Sequence, residues 1–406
     1  MTTQTKSSFS RNALLALGAG AIIISIAMGL RQTMALFLVP MTGDLGFGRE
    51  FFAFSMAIQN LLWGLAQPFA GALADRFGAA RVILLGGTLY VLGLAVMAGA
   101  TDINSVFWGG GMLVGFGLSG TSFAVVLGAI GRRVSAEKRS VALGIATAGG
   151  SLGQFIFAPL GQAFIEAYGW SVALLLLAGC AALMIGLVGP LRGKADKVAG
   201  REGNGPDTIS GAVGEAFKNK SYILLTAGFF VCGFQISFIA VHFPAYLIDA
   251  GITPSTAALA LGLVGLFNIL GSYGAGVLGG KYPKRYLLSA MYALRALFFA
   301  IFLFAPKTDM SVYLFSSALG ILWLGTVPLT SGLVAQIFGP RFMATLFGIV
   351  FLSHQLGSFM GVWLGGYMYD TTGSYDPVWL TGIVLGVLAS LVHLPIREHT
   401  LRTAEI

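Results

Sequence analysis

Charge is what this 406-residue sequence has least of: Asp, Glu, Lys and Arg together make up 10%, against about 25% in a water-soluble domain. So few charges cannot cover a soluble surface, and most of the outside of this chain must face something other than water. Cysteine is almost absent. Cys180 and Cys232 both lie in apolar runs, which excludes a disulfide framework. No His, Asp and Glu group has metal-ligand spacing, and no G-x-x-x-x-G-K-[ST] phosphate loop occurs, so no cofactor and no metal are expected. What abounds is apolar residues, 56%, and glycine, 58 residues, roughly twice the usual share of about 7%. There is no G-X-Y period, and the chain is too apolar for disorder. It reads as an all-α polytopic membrane protein, in which small residues let helix backbones approach closely.

A helix crosses the hydrocarbon core with about 20 apolar residues. Runs between charges predict twelve spans: 13–39, 51–74, 82–100, 105–131, 140–165, 170–190, 221–248, 254–280, 286–305, 310–338, 342–368 and 377–395. The first is too long for a signal-peptide core and has no cleavage site after it. An even number of spans puts both termini on one side. That side collects nearly all the Lys and Arg, among them Arg11, Arg76, Arg81, Arg132, Arg192, Lys281 and Arg397, whereas the other side has Arg49 and Lys307. The positive-inside rule then makes both termini cytoplasmic in a multi-pass protein of the cytoplasmic (inner) membrane. The net charge of +8 is thereby a topological signal and not a sign of nucleic-acid binding. No Asp or Glu falls mid-span.

The stretch 191–220, rich in Lys, Gly and Asp, reads as a cytoplasmic linker between an N-terminal half, 1–190, and a C-terminal half, 221–406. The halves resemble each other. Gly71 to Gly78 aligns with Gly276 to Pro283 at an offset of 205, and Gly153, Gly161 and Gly169 align with Gly357, Gly365 and Gly373 at 204. Six helices duplicated in parallel place a substrate near the midplane between the halves.

On these residues the chain resembles the major facilitator superfamily. The family's loop after helix 2 reads roughly G-x-L-a-D-r-x-G-x-[RK]-R, and this chain has Gly71-Ala-Leu73-Ala-Asp75-Arg76-Phe-Gly78-Ala-Ala80-Arg81, departing at Ala80. The resemblance implies the family's fold of twelve transmembrane helices in two parallel six-helix halves. It also implies a gating role for Asp75, Arg76 and Arg81. Helix 5, with Gly149-Gly-Ser151-Leu-Gly153, Pro159 and Gly169-Trp170, is similar to the bacterial monocarboxylate and oxalate/formate porter branch. So is the end of helix 7, His242-Phe-Pro244-Ala-Tyr246. That branch usually carries an Arg in helix 8, where this chain has Phe267-Asn268-Ile-Leu-Gly271.

An intramembrane charge costs about 2.5–3.5 kcal/mol on insertion scales, so it needs a partner or a task. Arg31 in helix 1 has no carboxylate at its depth: either an anionic substrate is its complement, or it snorkels outward or bonds free carbonyls. Arg295 in helix 9 either contacts substrate or bonds carbonyls of a neighbouring helix. His242 and His354 are the groups able to titrate near neutral pH if transport is proton-coupled; otherwise each is a neutral ring bonded to a Ser or a carbonyl. His393 and His399 fall near the cytoplasmic end and are expected in solvent. Gln32, Gln59, Asn60, Asn268 and Gln355 complete the expected substrate-binding set, each of them otherwise a helix-to-helix bond. The G-x-S-x-G at Gly149 lies inside an apolar helix and lacks the strand that a nucleophile elbow needs, so no enzyme is expected. The sequence reads as a monomeric secondary transporter in the lipid bilayer. It is expected to move a small organic anion by alternating access, by symport with protons or by antiport. The alternative is export of an amphipathic drug-like molecule or metabolite.

Overall fold

The computed structural model describes residues 10–133, 136–192, 209–339 and 343–398; the side chains of 75, 136–141, 209, 343 and 344 lie outside that description. The described residues form helices joined by short turns. Ten stretches are long and apolar enough to cross a bilayer. One of them turns at Gly169, where φ is +77°, and therefore makes two spans. Arg49–Phe77 is the twelfth, less apolar because it carries Gln59, Asn60, Gln67 and charged residues at its ends. We number them α1 (Arg11–Leu45), α2 (Arg49–Phe77), α3 (Ala79–Ala98), α4 (Ile103–Gly131), and α5 and α6 on either side of Gly169 within Ala136–Gly186. The second set is α7 (Lys220–Asp249), α8 (Pro254–Gly279), α9 (Lys284–Phe304), α10 (Asp309–Phe338), α11 (Met343–Thr372) and α12 (Asp376–His393).

Within 191–220, residues 193–208 lie outside the description, and a short helix, Ile209–Lys218, packs on α7 and α11 with Ala212 and Ala216 buried. His399 is also outside the described residues. His393 corrects the sequence reading. It is fully buried, bonds the Ala389 carbonyl through Nδ1 at 2.7 Å and stacks on Tyr292 with ring centroids 4.9 Å apart. Gly228 on α7, with no side chain, leaves the room the imidazole fills.

The duplication is visible in packing. α1 lies against α5 where Gly153 meets the Ser25 backbone, and α7 lies against α11 where Gly357 meets the Phe230 backbone. A side chain on either glycine would push the helices apart, which is why the pattern recurs at the offset of the repeat. The turn at Gly169 (φ +77°) recurs at Gly373 (φ +72°), a backbone region that L side chains avoid. α3 meets α6 as α9 meets α12, and α2 meets α4 as α8 meets α10. α4 and α10 are both interrupted midway, α4 at Ser122 with extended backbone and α10 between Ile321 and Thr326. Interrupted helices at matching positions of two repeats free backbone polar groups at depth and mark where a site can form.

Arg76, Arg81, Lys281 and Arg285 define a basic face, and Arg49, Asp102, Asp249 and Asp370 lie at the opposite, far face. The halves meet mainly through α2 with α11 and α5 with α8. Toward the far face these contacts are close. Gly262 and Gly265 of α8 touch Phe155, Ser151 and Gln154 of α5; Gly64 and Gly366 touch Gln355, Glu50 and Ala53 across α2 and α11. Nearer the basic face on the same four helices, Gly71, Gly144, Gly276 and Gly348 have no atom within 4 Å of an added Cβ. The halves are therefore closed at the far face and splayed toward the basic face.

Candidate substrate site and far-face latch

At the closed end of that opening, Arg31 of α1 reaches α2. Its Nη2 donates to Asn60 Oδ1 at 2.5 Å, and the guanidinium carbon stands 5.1 Å from the centroid of the Trp63 ring. Asn60 is oriented for this because its own Nδ2 donates to the Met56 carbonyl at 2.9 Å, leaving Oδ1 to accept. Trp63 is held in turn. Its Nε1 donates to Ser122 Oγ at 2.9 Å, at the interruption of α4, and Ser122 Oγ donates to Gln67 Oε1 at 3.2 Å. From the other half, Gln355 Nε2 donates to the Asn60 carbonyl at 2.6 Å, Gln355 Oε1 lies 3.0 Å from His354 Nδ1, and Phe351 meets Trp63 edge-on. Arg31, Asn60, Gln355 and His354 thus form one polar chain spanning both halves.

Arg31 is half-buried, its Nε has no hydrogen-bond partner, and the ion pair found among the described residues is elsewhere, between Arg49 and Asp249. A guanidinium that spends one donor on a neutral amide keeps the rest of its fork for a carboxylate. Beside it Gln32 is buried with neither carboxamide atom bonded to protein, and an amide left so needs a polar partner.

The other expected site residues go elsewhere. Gln59 Nε2 donates to the Gly110 carbonyl at 2.7 Å and ties α2 to α4. Asn268 joins three elements: Nδ2 donates to Ser151 Oγ at 2.9 Å on α5, and Oδ1 accepts the Leu324 N–H at 3.0 Å in the break of α10. Arg295 is fully buried and bonds backbone, as the second of its two sequence readings has it. Nε donates to the Leu322 carbonyl at 2.9 Å, Nη2 to the Leu322 and Trp323 carbonyls, and Nη1 to Cys232 Sγ at 3.3 Å. Those carbonyls form the C-terminal, negative pole of the first segment of α10, so the charge needs no carboxylate. Arg76 and Arg81 are exposed at the basic end, Arg76 lying over the Phe77 ring. The Asp75 side chain is outside the described residues. An apolar groove of about 370 Å³ between α2, α3 and α4, lined by Leu65, Phe69, Leu73, Leu85, Leu89 and Phe116, presents nothing to hold an anion.

His242 belongs to a second network, at the far face. Arg49 grips Asp249 with two bonds, 2.5 and 2.8 Å, donates to Tyr375 Oη at 3.1 Å and lies 3.8 Å over the Tyr369 ring. Asp370 accepts the Arg49 and Glu50 backbone N–H groups at 3.0 and 2.8 Å, so a carboxylate of α11 caps the N-terminus of α2 across the two halves. Glu50 accepts from Trp363 Nε1 at 3.0 Å, and Glu166 accepts from Ser255 Oγ at 2.9 Å. Sequence reasoning used Arg49 only to count charges. Its partner, Asp249, is 200 positions away, and nothing local to Arg49 names it. Trp63 could have been found: the repeat offset of 205 pairs it with Asn268, and each bonds the interruption of its own half.

Asp249→Asn should weaken this latch. A half-exposed pair is worth about 1 kcal/mol at most, so the far-face-open population should rise up to about fivefold. Ala53→Cys, buried behind the latch, should then react faster with an impermeant maleimide from the far side; an unchanged rate would remove the pair from the latch.

The chain matches the family model described as Major Facilitator Superfamily over residues 19–362 and 228–405. Among curated proteins it is similar to monocarboxylate transporter 13 of Bos taurus, 28% identical over 80% of this chain and 77% of that one. It is also similar to monocarboxylate transporter 11 of Homo sapiens, 27% identical over 84% and 73%. An uncharacterized MFS-type transporter, YcxA, of Bacillus subtilis (strain 168) is 24% identical over 90% of both chains. Among solved structures it resembles a bacterial homolog to the human lysosomal transporter Spinster, in an inward-facing and unoccupied conformation. The TM-score is 0.77 at 14% identity, covering 95% of this chain and 97% of that one.

Proposed function

We propose that this chain, which belongs to the major facilitator superfamily, carries a small organic anion of the carboxylate type across the cytoplasmic membrane by alternating access. The observation that carries the reading is the half-buried Arg31 at the meeting of the halves, with donors uncommitted and no carboxylate among its partners. The names of the monocarboxylate transporters it is similar to support the same substrate class. Both termini and the basic face are cytoplasmic in this reading, and the chain works as a monomer. The anion enters from the basic face, meets the Arg31 fork, and takes its remaining bonds from Gln32 and from the Asn60, Gln355 and His354 chain. Asn268 and Arg295 serve the interruption of α10 and stand outside the contact set, as does Gln59. Closure of the basic face then engages the loop with Asp75, Arg76 and Arg81, while the far-face latch releases. A proton or exchange gradient drives the cycle.

The test is uptake by proteoliposomes of the purified protein from a panel of radiolabelled short carboxylates, with and without an imposed pH gradient or internal unlabelled anion. Saturable uptake of at least one carboxylate is expected. If none is taken up while amphipathic cations or neutral drug-like molecules are, the anion reading is wrong and the exporter reading replaces it.

A further inference from the structure

The hydrogen-bond directions around His242 in the far-face latch follow from its partners. Nε2 lies 2.7 Å from the Val362 carbonyl, which can only accept, so Nε2 carries a hydrogen. In the neutral ring Nδ1 is then an acceptor, and its partner at 3.3 Å is the Tyr375 hydroxyl. Tyr375 Oη in turn accepts from Arg49 Nη1 at 3.1 Å. Every hydrogen is placed: Arg49 donates to Tyr375, Tyr375 to His242, and His242 to α11. The chain crosses from α2 of one half to α12, α7 and α11 of the other.

We infer that His242 is a proton-binding site that makes the far-face latch acid-sensitive, a proton on Nδ1 being incompatible with the closed arrangement. With Nδ1 protonated, imidazolium and guanidinium both donate to one phenolic oxygen, and the Tyr375 hydrogen loses its acceptor. Two cations then share a site in which the ring is fully buried, packed against Phe238 and Tyr375 and pressed by Gly365. Separation of α2 from α11 and α12 relieves this by moving Arg49 away and admitting far-side water. Proton uptake and far-face opening are therefore linked, and lower pH on the far side favours opening. The other charged and titratable groups around the latch are Arg49 and Glu50 on α2, Asp249 and Tyr246 on α7, Tyr369 and Asp370 on α11, Tyr375 and Asp376 at α12, and Lys307 over the Tyr246 ring. Because several of these groups ionise, and His354 lies at the meeting of the halves, a pH response is assigned to His242 by its loss when that side chain alone is replaced. The inference rests on the alternating-access reading but not on the substrate's identity.

Spin labels at Thr101→Cys and Met310→Cys, exposed at the far face on opposite halves, in a Cys180→Ser background, report the opening as a distance distribution in nanodiscs. Between pH 8 and pH 5.5 the long-distance population should rise at least about threefold, one linked proton allowing at most tenfold per pH unit. His242→Gln keeps a donor for Val362 and an acceptor for Tyr375 but cannot titrate, so its distribution should be flat over the same range. Tyr375→Phe, which retains the imidazole and removes the shared oxygen, should show a reduced response and guards against a misfolded His242→Gln. A wild-type distribution that ignores pH, or a His242→Gln protein that shifts as much as wild type, overturns the inference. Arg31→Gln should keep the pH response while losing uptake, so failure of the substrate reading and failure of the latch are distinguishable.

Discussion

Arg31→Gln should reduce carboxylate uptake by roughly 100- to 10,000-fold while leaving the thermal midpoint nearly unchanged. Two charge-assisted hydrogen bonds to a carboxylate contribute about 1.5–3 kcal/mol each, and 1.4 kcal/mol is tenfold in affinity. Against this, Arg31 makes one hydrogen bond within the protein, to Asn60, and a glutamine amide can replace that donor. Loss of function and loss of stability should therefore separate. Arg31→Lys keeps the charge but lacks the planar fork, and should fall between the two with a deficit of about tenfold. Direct uptake and counterflow in proteoliposomes, alongside thermal shift with and without the anion, measure both terms. A bound anion raises the midpoint of wild type and should not raise that of Arg31→Gln. Wild-type transport by Arg31→Gln would remove Arg31 from the site.

Arg295→Met is expected to do the opposite, damaging the fold before the function. Removing a buried charge relieves its desolvation cost, and replacing ionic groups by apolar ones can stabilise. Here the relief is outweighed. The guanidinium covers the Leu322 and Trp323 carbonyls exposed by the interruption of α10, and an apolar side chain covers neither. Two orphaned carbonyls cost about 1–3 kcal/mol each, and Cys232 loses its donor as well. A net loss of roughly 3–5 kcal/mol corresponds to a fall in the thermal midpoint of about 5–10 °C. Arg295→Lys should recover part of it, since an ammonium can reach one carbonyl but lacks the fork that serves two. A midpoint for Arg295→Met within 2 °C of wild type, on the order of a 1 kcal/mol effect, would show that the break in α10 finds other partners. The fully buried Arg295 and the half-buried Arg31 are thus predicted to fail in different ways, although both are arginines at membrane depth without a carboxylate.

That difference marks the boundary of what could be read from the chain. Span number, the duplication and the sidedness of charge were legible because they rest on properties that are local and additive: run length, residue spacing, the count of Lys and Arg in each loop. The repeat even predicted contacts, since Gly153 and Gly357 do the same work in each half. His393 shows the limit. Its place near the end of a span suggested solvent, yet Gly228, more than 160 positions earlier, leaves it a buried slot against Tyr292.

By itself, then, the sequence determined a twelve-helix membrane protein of two repeated halves, because hydrocarbon tolerates few alternatives to apolar helices whose backbone bonds close within each segment. It also singled out Arg31 and Arg295 as charges in need of an explanation. Only the tertiary structure told them apart, bonding Arg295 to backbone carbonyls and leaving Arg31 Nε without a partner. Whether a buried donor is free or spent depends on which carbonyl another helix brings within 3 Å, and for Arg295 that was settled by the interruption of α10, 27 residues further along the chain. The same holds for the far-face latch, where Arg49 and Asp249, 200 residues apart, meet only because the two halves close there.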